Sequence, residues 1–303
     1  MFRQSLWMLT ASLLFALVAV SIKYAVDLYS TFEFLFYRSI AGTATCLYLL
    51  HKSGGTLKTS HPLRHLIRCA IGTSCLCLSI YILKGLPIAT AQALQYTSPL
   101  WFCLFLVLAG MAEKEKVSRS LLVAVLIGFV GIVTILRPDF SGRDAFFAVM
   151  GILTGLTGGG ADFMIRDLGR HQEPKERIIF YFTLSGTLVG LLATLATTGF
   201  HSHTFEGIAA LSALMICGTL GQFALTQAWT FGHPILNSIF QFSGIPFAIL
   251  FGYLCFDEYL DGMTILGILI VMLSGIAASV IRIRSERAVT KGQPVRLQPT
   301  DKK

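Results

Sequence analysis

The sequence predicts an all-α membrane protein with ten transmembrane helices, arranged as two five-helix repeats in opposite orientation. Three observations lead to this fold class: the composition, the spacing of the apolar segments and an internal repeat. Of the 303 residues, 54% are hydrophobic and 13% are charged, and the mean hydropathy is +0.70. A soluble domain usually has about 25% charged residues. Lipid is therefore the solvent that can accommodate this much apolar sequence.

The apolar residues occur in runs long enough to cross a bilayer, which takes about 20 residues of helix. Short polar segments separate the runs. The predicted spans are 5–25, 34–51, 66–84, 88–110, 119–137, 145–165, 178–197, 207–229, 234–256 and 262–282. The apolar run that follows Arg3 is too long for a signal peptide and lacks a cleavage site, so we expect it to form the first helix.

The basic residues are distributed unequally between alternate loops. Of the 24 Lys and Arg residues, all but Lys23, Arg38, Lys84, Arg137 and Arg143 fall on the side of the N-terminus. This asymmetry follows the positive-inside rule, so we expect both termini to be cytoplasmic. Because membrane orientation explains the net charge of +8, we expect no nucleic-acid partner.

The seven cysteines fall in or beside predicted helices, and their odd number favours free thiols over a disulfide framework. Cys75 and Cys77 could pair on a metal, but the pattern favours packing as small apolar residues. The sequence contains no G-x-x-x-x-G-K-[ST], H-E-x-x-H or G-x-S-x-G motif. We therefore expect no metal, no cofactor and no enzymatic activity.

Two segments of the first half recur in the second half. Residues 85–88 read Gly-Leu-Pro-Ile and precede Pro99, and residues 232–235 read Gly-His-Pro-Ile and precede Pro246. Residues 36–42 read Phe-Tyr-Arg-Ser-Ile-Ala-Gly, and residues 180–186 read Phe-Tyr-Phe-Thr-Leu-Ser-Gly. An odd number of helices per half places the halves antiparallel, which is a recurring plan of secondary transporters.

Over about residues 5–282, the chain resembles the drug/metabolite transporter superfamily with paired EamA-type domains. The resemblance rests on the duplication, the Phe-Tyr-Arg start of the second span and the fourth span, which reads Ala-Thr-Ala-Gln-Ala-Leu-Gln-Tyr over residues 89–96. It rests also on an acidic residue after the fourth span of each half, which is Glu113 or Glu115 in the first half and Glu258 in the second. The last span of each half has a pair of glycines, at residues 128 and 131 and at residues 267 and 275. The chain departs from the family pattern where Phe182 replaces the second-half equivalent of Arg38.

The resemblance implies two EamA-type five-helix repeats, at residues 1–137 and 138–284, in a protein of the bacterial inner membrane. It also implies movement of a small metabolite by alternating access. Residues 285–303 are polar and contain two prolines, so we expect a disordered cytoplasmic tail.

Pro99 and Pro246 predict interruptions in the fourth and ninth spans. A proline inside a helix frees the carbonyl four residues earlier, here the carbonyls of Gln95 and Phe242. Irregular backbone at membrane depth is tolerated where it is buried or lines a cavity. The pair therefore predicts a central site shared by the two halves, with kinks for helix packing as the alternative.

Amides and aromatic side chains accompany these prolines. The predicted lining of the cavity is Gln92, Gln95, Tyr96, Pro99, Trp101, Tyr81, Gln222, Trp229, Asn237, Gln241 and Pro246. Residues three or four apart share one face of a helix, as Gln92 and Gln95 do. An amide in hydrocarbon is costly unless it is bonded or faces water. Bonding between helices is the alternative for the amides, and packing is the alternative for the aromatics.

Among the charged residues of the predicted spans, we single out three as candidates for function. Asp162 could bind a cation or a coupling proton, or pair with Arg166. Lys23 and Arg38 could attract an anion from the outer side. For Arg38 we expect instead that the side chain extends to the lipid headgroups.

These features favour a secondary transporter of a small organic metabolite such as an amino acid, a vitamin or a nucleoside-like solute. The few charges predicted at membrane depth argue against a dicarboxylate. The alternatives are an intramembrane enzyme that modifies lipid or isoprenoid and a membrane scaffold without transport. The expected partners are the solute and the lipid bilayer. A coupling ion, a counter-substrate and a second copy of the chain in a homodimer are further candidates.

Overall fold

The structure is a computed structural model that describes residues 2–54, 56–102, 104–105, 119–136 and 143–292. Within these ranges all regular secondary structure is helical. The helices are α1 (Phe2–Ser5), α2 (Trp7–Tyr24), α3 (Thr31–Lys52), α4 (Pro62–Ile82), α5 (Ile88–Gln95), α6 (98–102 and 104–105), α7 (Arg119–Leu136), α8 (Arg143–Arg170), α9 (Lys175–Ala196), α10 (Phe205–Phe231), α11 (Pro234–Gln241), α12 (Gly244–Phe256) and α13 (Gly262–Gly292).

The composition of these helices fits a lipid environment. Among the described residues, five helical segments are long and apolar enough to cross a membrane. Large apolar side chains are exposed on helix surfaces, among them Leu126, Leu192 and Leu273. Water would make such surfaces unfavourable, whereas lipid solvates them. The chain is an integral membrane protein with an all-α fold.

Each of the four largest helix–helix contacts joins a helix of the first half of the chain to a helix of the second half. α3 packs against α9, and α7 packs against α13. α2 packs against α10, and α4 packs against α8. In terms of the predicted spans, these contacts join the second to the seventh, the fifth to the tenth, the first to the eighth and the third to the sixth.

A close approach holds α3 against α9. A Cβ atom at Gly190 would lie 2.7 Å from the backbone nitrogen of Phe36 and 3.0 Å from the carbonyl oxygen of Phe32. Backbone atoms cannot move aside as a flexible side chain can. Glycine at this position therefore allows the two helices to touch.

Hydrogen bonds order one end of the bundle, formed by residues 25–30, 83–87, 197–204 and 257–261 and called here the outer end. Ser30 and Glu33 form a capping box that begins α3. Glu33 also accepts hydrogen bonds from the backbone N–H of His201 at 2.8 Å and from its ring at 2.6 Å. Because the capping box satisfies free N–H groups, α3 begins at Thr31, earlier than the predicted residue 34.

The opposite end, called the inner end, is formed by residues 53–54, 56–61, 171–174 and 232–233. Glu173 accepts a hydrogen bond from the Thr59 hydroxyl at 2.6 Å and one from Arg177 at 2.8 Å. Arg177 also donates to the carbonyl of Thr56 at 2.8 and 3.0 Å. These bonds attach the α3–α4 loop of the first half to the start of α9 in the second half.

The last helix is longer than the sequence predicts. α13 continues to Gly292 and so includes the first residues of the segment 285–303, for which the sequence predicts disorder. Adding a residue to an existing helix needs no new nucleation. The first part of the tail, before its two prolines, therefore extends α13.

Candidate functional site

A cavity lies among helices that come from both the first and the second half of the chain. Met8, near the inner end of α2, and Ile22, near its outer end, both line the cavity. The cavity therefore follows most of the length of α2. The polar lining consists of Ser12, Arg38, Arg68, Ser79, Gln92, Gln95, Tyr96, Ser98, Asp162, Gln222 and Gln241.

Buried apolar side chains pack at both ends of the cavity. Toward the outer end the cluster includes Ile22, Leu83 and Ile88. Toward the inner end it includes Met8 and Trp229. The polar groups of the cavity therefore lie between two apolar clusters.

Two interrupted helices pass beside the cavity. α5 ends at Gln95, and residues 96–97 form a turn before α6 begins. α11 ends at Gln241, and residues 242–243 form a turn before α12 begins. Each interruption is followed closely by one of the two prolines, Pro99 or Pro246. The breaks occur where a missing proline N–H predicts them.

The carbonyls at the second break find partners within the protein. Ser12 of α2 donates to the Gln241 carbonyl at 3.4 Å. The N–H of Ile245 donates to the Phe242 carbonyl, predicted from sequence to be free, at 3.1 Å. The backbone of this break is therefore stabilised without a ligand, and the side chains beside it remain to bind a solute.

α8 crosses directly over the first break. A Cβ at Gly159 would lie 2.7 Å from the carbonyl oxygen of Ser98 and 2.8 Å from the backbone nitrogen of Phe102. Only glycine permits this approach. It brings Asp162, one turn further along α8, to the cavity wall.

The predicted glutamines and Tyr96 do line the cavity. Gln92 donates to the Phe15 carbonyl at 3.4 Å, and Gln222 donates to the Thr226 hydroxyl at 3.2 Å. Gln95 also lines the cavity, from the end of α5. The Oε1 atom of Gln92 is buried without a hydrogen-bond partner. Such groups cost free energy unless a ligand or water bonds them.

Arg38 lies inside the cavity instead of extending to the headgroups. The residue is 9% exposed, and its guanidinium carbon lies 5.5 Å from the centre of the Phe15 ring. A Cβ at Gly218 would lie 2.9 Å from its Cγ and Nε atoms. The expectation that Arg38 reaches the headgroups is therefore corrected, because a glycine and an aromatic ring together accommodate the side chain inside the bundle.

Arg68 is a second buried guanidinium, and it is not among the site residues predicted from the sequence. It lies in α4, is 3% exposed and lines the cavity. Its position near the cytoplasmic end of a predicted span suggested only a contribution to membrane orientation. A signal was nevertheless present: Gly72 follows one turn later on the same helix face, and its missing side chain leaves room for an arginine.

Asp162 carries the negative charge of the cavity. It is 5% exposed, and its Oδ2 atom accepts a hydrogen bond from Gln241 at 3.2 Å. Gln241 also donates to Ser98 at 3.1 Å. These contacts join α8 of the second half to both interrupted helices.

Lys23 lies outside the cavity, at the outer end. Its ammonium donates to Glu258 and, at 3.1 Å, to the carbonyl of Leu86. Glu258 accepts in turn from the backbone N–H of Ile88 at 2.8 Å. The group connects the end of α2 to the start of α5 and to the segment that follows α12.

The other predicted aromatic residues pack beside the cavity and do not line it. Tyr81 stacks on Phe147, with ring centres 5.9 Å apart. Trp101 meets Phe129 edge to face at 4.8 Å. Trp229 is 1% exposed within the inner apolar cluster. None of the three is among the residues that bound the cavity.

Asn237, Pro99 and Pro246 also fall outside the lining. Asn237 is fully buried and donates to the Ala228 carbonyl at 2.6 Å. It thereby joins α11 to the end of α10. In the part of the chain that the structure describes, no group of three or more His, Cys, Asp or Glu side chains is placed to hold a metal ion.

The fold and this cavity define the class of protein. It is an α-helical integral membrane protein, and residues from both halves of the chain line a polar, partly charged cavity. Residues 3–137 match the model of the EamA-like transporter family. An uncharacterized transporter of Helicobacter pylori (strain J99 / ATCC 700824) is 30% identical over 284 residues, covering 88% of this chain and 91% of the relative. The chain belongs to the EamA-like transporter family.

Two further similar proteins also match over most of the length of this chain. The pseudopaline exporter CntI of Pseudomonas aeruginosa (strain UCBPP-PA14) is 27% identical over 270 residues, which cover 89% of this chain and 93% of the exporter. One solved crystal structure superimposes with a TM-score of 0.68 at 16% identity. It covers 93% of this chain and 99% of the solved chain, and it shows similarity of fold.

Proposed function

We propose that this protein is a secondary transporter that carries a small organic metabolite across the membrane, with the central cavity as its binding site. Alternating access would come from movement of the two inverted repeats, residues 1–137 and 138–284, around that site. The driving force would be the gradient of the solute itself, of a counter-substrate or of a coupled ion. The solute classes proposed are amino acids, vitamins and nucleoside-like compounds.

One observation carries the proposal: both halves contribute polar side chains to a single cavity at membrane depth. Gln92 and Gln95 come from the first half, and Gln222 and Gln241 come from the second. Polar groups are costly at this depth, and a cavity lined by them is suited to a polar solute. Family membership and the exporter among the relatives support the same function.

We also propose that the protein lies in a bacterial inner membrane with both termini in the cytoplasm. The distribution of Lys and Arg supports this orientation. In the proposed orientation the inner end of the bundle faces the cytoplasm and the outer end faces the opposite side.

The test is counterflow into liposomes that contain the purified protein. Liposomes are loaded in turn with unlabelled L-glutamate, L-methionine, riboflavin or adenosine, and entry of the same labelled solute is measured. We expect protein-dependent accumulation of at least one of them, and Gln95→Ala should lower its rate by about tenfold, as loss of a hydrogen bond to a solute predicts.

Gln227→Ala is the matched control. Gln227 donates to Gln4 at 2.9 Å and accepts from Lys175 at 2.6 Å, and it does not line the cavity. Its loss should leave counterflow close to that of the unaltered protein. Failure of every solute to accumulate, or equal rates for Gln95→Ala and the unaltered protein, would contradict the proposal.

A further inference from the structure

We propose that the central cavity binds an amino dicarboxylate, a solute with two carboxylates and one protonated nitrogen. In this arrangement Arg38 and Arg68 bind the carboxylates, and Asp162 binds the nitrogen. The inference rests on the proposed transport function, because it assigns the solute of the same cavity. It reverses the expectation, drawn from sequence, that too few basic residues lie at membrane depth for a dicarboxylate.

The cavity wall carries two guanidinium groups and one carboxylate, all buried. Arg38, Arg68 and Asp162 are 9%, 3% and 5% exposed. An ionised group removed from water is strongly disfavoured unless opposite charges and hydrogen bonds compensate. Two positive charges against one negative charge leave the site short of negative charge. A bound anion would supply it.

Arg68 has unused hydrogen-bonding capacity. Its Nε and Nη1 atoms are buried and have no hydrogen-bond partner. The guanidinium carbon lies 4.2 Å from the centre of the Phe182 ring, which holds the flat group in place. A Cβ at Gly72 would lie 1.7 Å from Nη1, so only glycine leaves space for the guanidinium. The protein thus accommodates this side chain and leaves N–H groups for a ligand.

Arg38 is held in a similar way by Phe15 and Gly218, as described above. A planar guanidinium presents paired N–H donors that match the two oxygens of a carboxylate, which a lysine cannot do. Phe182 occupies the second-half position that corresponds to Arg38. The departure from the family pattern therefore places, beside Arg68, the aromatic ring on which that guanidinium rests.

A separate set of groups accepts hydrogen bonds. Asp162 comes from α8, and Gln92 and Gln241 come from the interrupted helices α5 and α11. The Oε1 atoms of both glutamines are buried without a partner. Their amide nitrogens are already used as donors, to the Phe15 carbonyl from Gln92 and to Asp162 from Gln241, and each Oε1 is left without a donor. One carboxylate with two such oxygens suits a protonated amine.

These groups together select the charge of the solute. An amine without carboxylates would meet two guanidinium groups and be repelled. A neutral solute would leave the excess positive charge of the two arginines over Asp162 uncompensated. A dicarboxylate without nitrogen would satisfy the arginines but meet the Asp162 carboxylate. Two carboxylates with one protonated nitrogen match all three charges.

The first experiment compares solutes of similar size and different charge. Thermal unfolding of the detergent-purified protein and counterflow in liposomes are measured with L-glutamate, L-aminoadipate and N-carboxyethyl-alanine. Glutarate, L-glutamine and putrescine serve as probes that lack the nitrogen, one carboxylate or both carboxylates. We expect the amino dicarboxylates to stabilise the protein and to move at concentrations about tenfold lower than the other probes.

The second experiment changes the charges one at a time. Arg68→Gln should weaken L-glutamate binding about tenfold to a hundredfold, as loss of a charge-assisted contact predicts. Arg64→Gln is the matched control, because Arg64 lies one turn earlier on α4 and pairs with Asp167 at the inner surface. Asp162→Asn should shift the preference toward glutarate. A change in charge preference is a result that a purely structural role would not give.

If the Arg68→Gln variant does not fold, Arg68→Lys is measured in its place. It keeps the positive charge, so the preference for dicarboxylates should persist with weaker binding. Movement of glutamine or putrescine in preference to every amino dicarboxylate would overturn this inference and leave the transport function standing. Stabilisation by L-glutamate without any counterflow would support the site and contradict transport. No response to any amino dicarboxylate in either assay overturns the inference.

Discussion

The hydroxyl oxygens of Thr43 and Thr187 lie 3.2 Å apart where α3 meets α9. The two residues are 144 positions apart, and the same offset relates Tyr37 to Tyr181. The contact between these threonines therefore joins α3 and α9 at positions with the same offset as the repeated sequence segments at residues 36–42 and 180–186.

Gly190→Ala should destabilise the contact between α3 and α9. The added methyl group would meet the backbone of Phe36 at 2.7 Å, and forced overpacking costs about 1–3 kcal/mol. We expect a lower midpoint of thermal unfolding in detergent. Gly262→Ala is the control, since no atom lies within 4 Å of the position of its Cβ. Equal midpoints for the two variants would show that α3 and α9 pack less closely.

Glu258→Gln should loosen the outer end. The change leaves Lys23 without its carboxylate partner, and a hydrogen bond to a charged group contributes about 1.5–3 kcal/mol. Cys75, which lines the cavity, should then react at least several-fold faster with a maleimide added from outside. The increase should disappear when Cys75→Ser is added.

Glu206→Gln serves as the control for this measurement, because Glu206 is an exposed residue near the outer end. It should leave the rate of Cys75 modification unchanged. An identical rate in Glu258→Gln would mean that the Lys23–Glu258 pair does not keep the outer end closed.

Glu173 should make the inner end sensitive to acid. Burial acts to raise the pKa of this carboxyl, but the hydrogen bonds from Thr59 and Arg177 outweigh it, so the pKa lies below its ordinary value. A carboxyl with a lowered pKa stabilises the folded state above the unfolded pKa of about 4.3, and this stabilisation is lost as the pH falls through the folded pKa.

The measurement is the midpoint of thermal unfolding at a series of pH values between about 7 and 3. Glu173→Gln should lower the midpoint at neutral pH, and the difference from the unaltered protein should shrink below about pH 4. Glu206→Gln should give a curve parallel to that of the unaltered protein. A constant difference for Glu173→Gln across the whole range would show that ionisation of Glu173 does not stabilise the fold.

Asn237→Ala should reduce stability and leave solute preference intact. The change removes the donor to the Ala228 carbonyl, and an unmade buried hydrogen bond costs about 1–3 kcal/mol. We expect a lower unfolding midpoint together with the same order of solutes in counterflow, normalised to folded protein. A changed order of solutes would place Asn237 at the binding site after all.

Much of the fold follows from local sequence. Apolar runs predicted helices close to those observed, as for α2 and α10, because lipid demands a continuous hydrogen-bonded apolar segment. The prolines predicted both breaks, since a missing N–H acts wherever the residue lies. Helix ends were less accurate where a side chain caps the helix, as Ser30 does for α3.

The site was predicted less completely. Gln92 and Asn237 are both amides in apolar helices, yet one lines the cavity and the other bonds the end of a neighbouring helix. Sequence does not separate them, because an amide is equally satisfied by a solute, by water or by another helix. Arg68 was overlooked because hydropathy assigns a terminal arginine to the membrane surface.

The sequence by itself determined the solvent, the helices and the two interruptions, because these depend on the composition and backbone chemistry of each segment. Only the tertiary structure decided which charges share the cavity. Arg38 and Arg68 point inward since Gly218 and Gly72, together with two phenylalanine rings, leave room for them there. The direction of a side chain depends on the surfaces packed around its helix, and those surfaces come from distant parts of the chain.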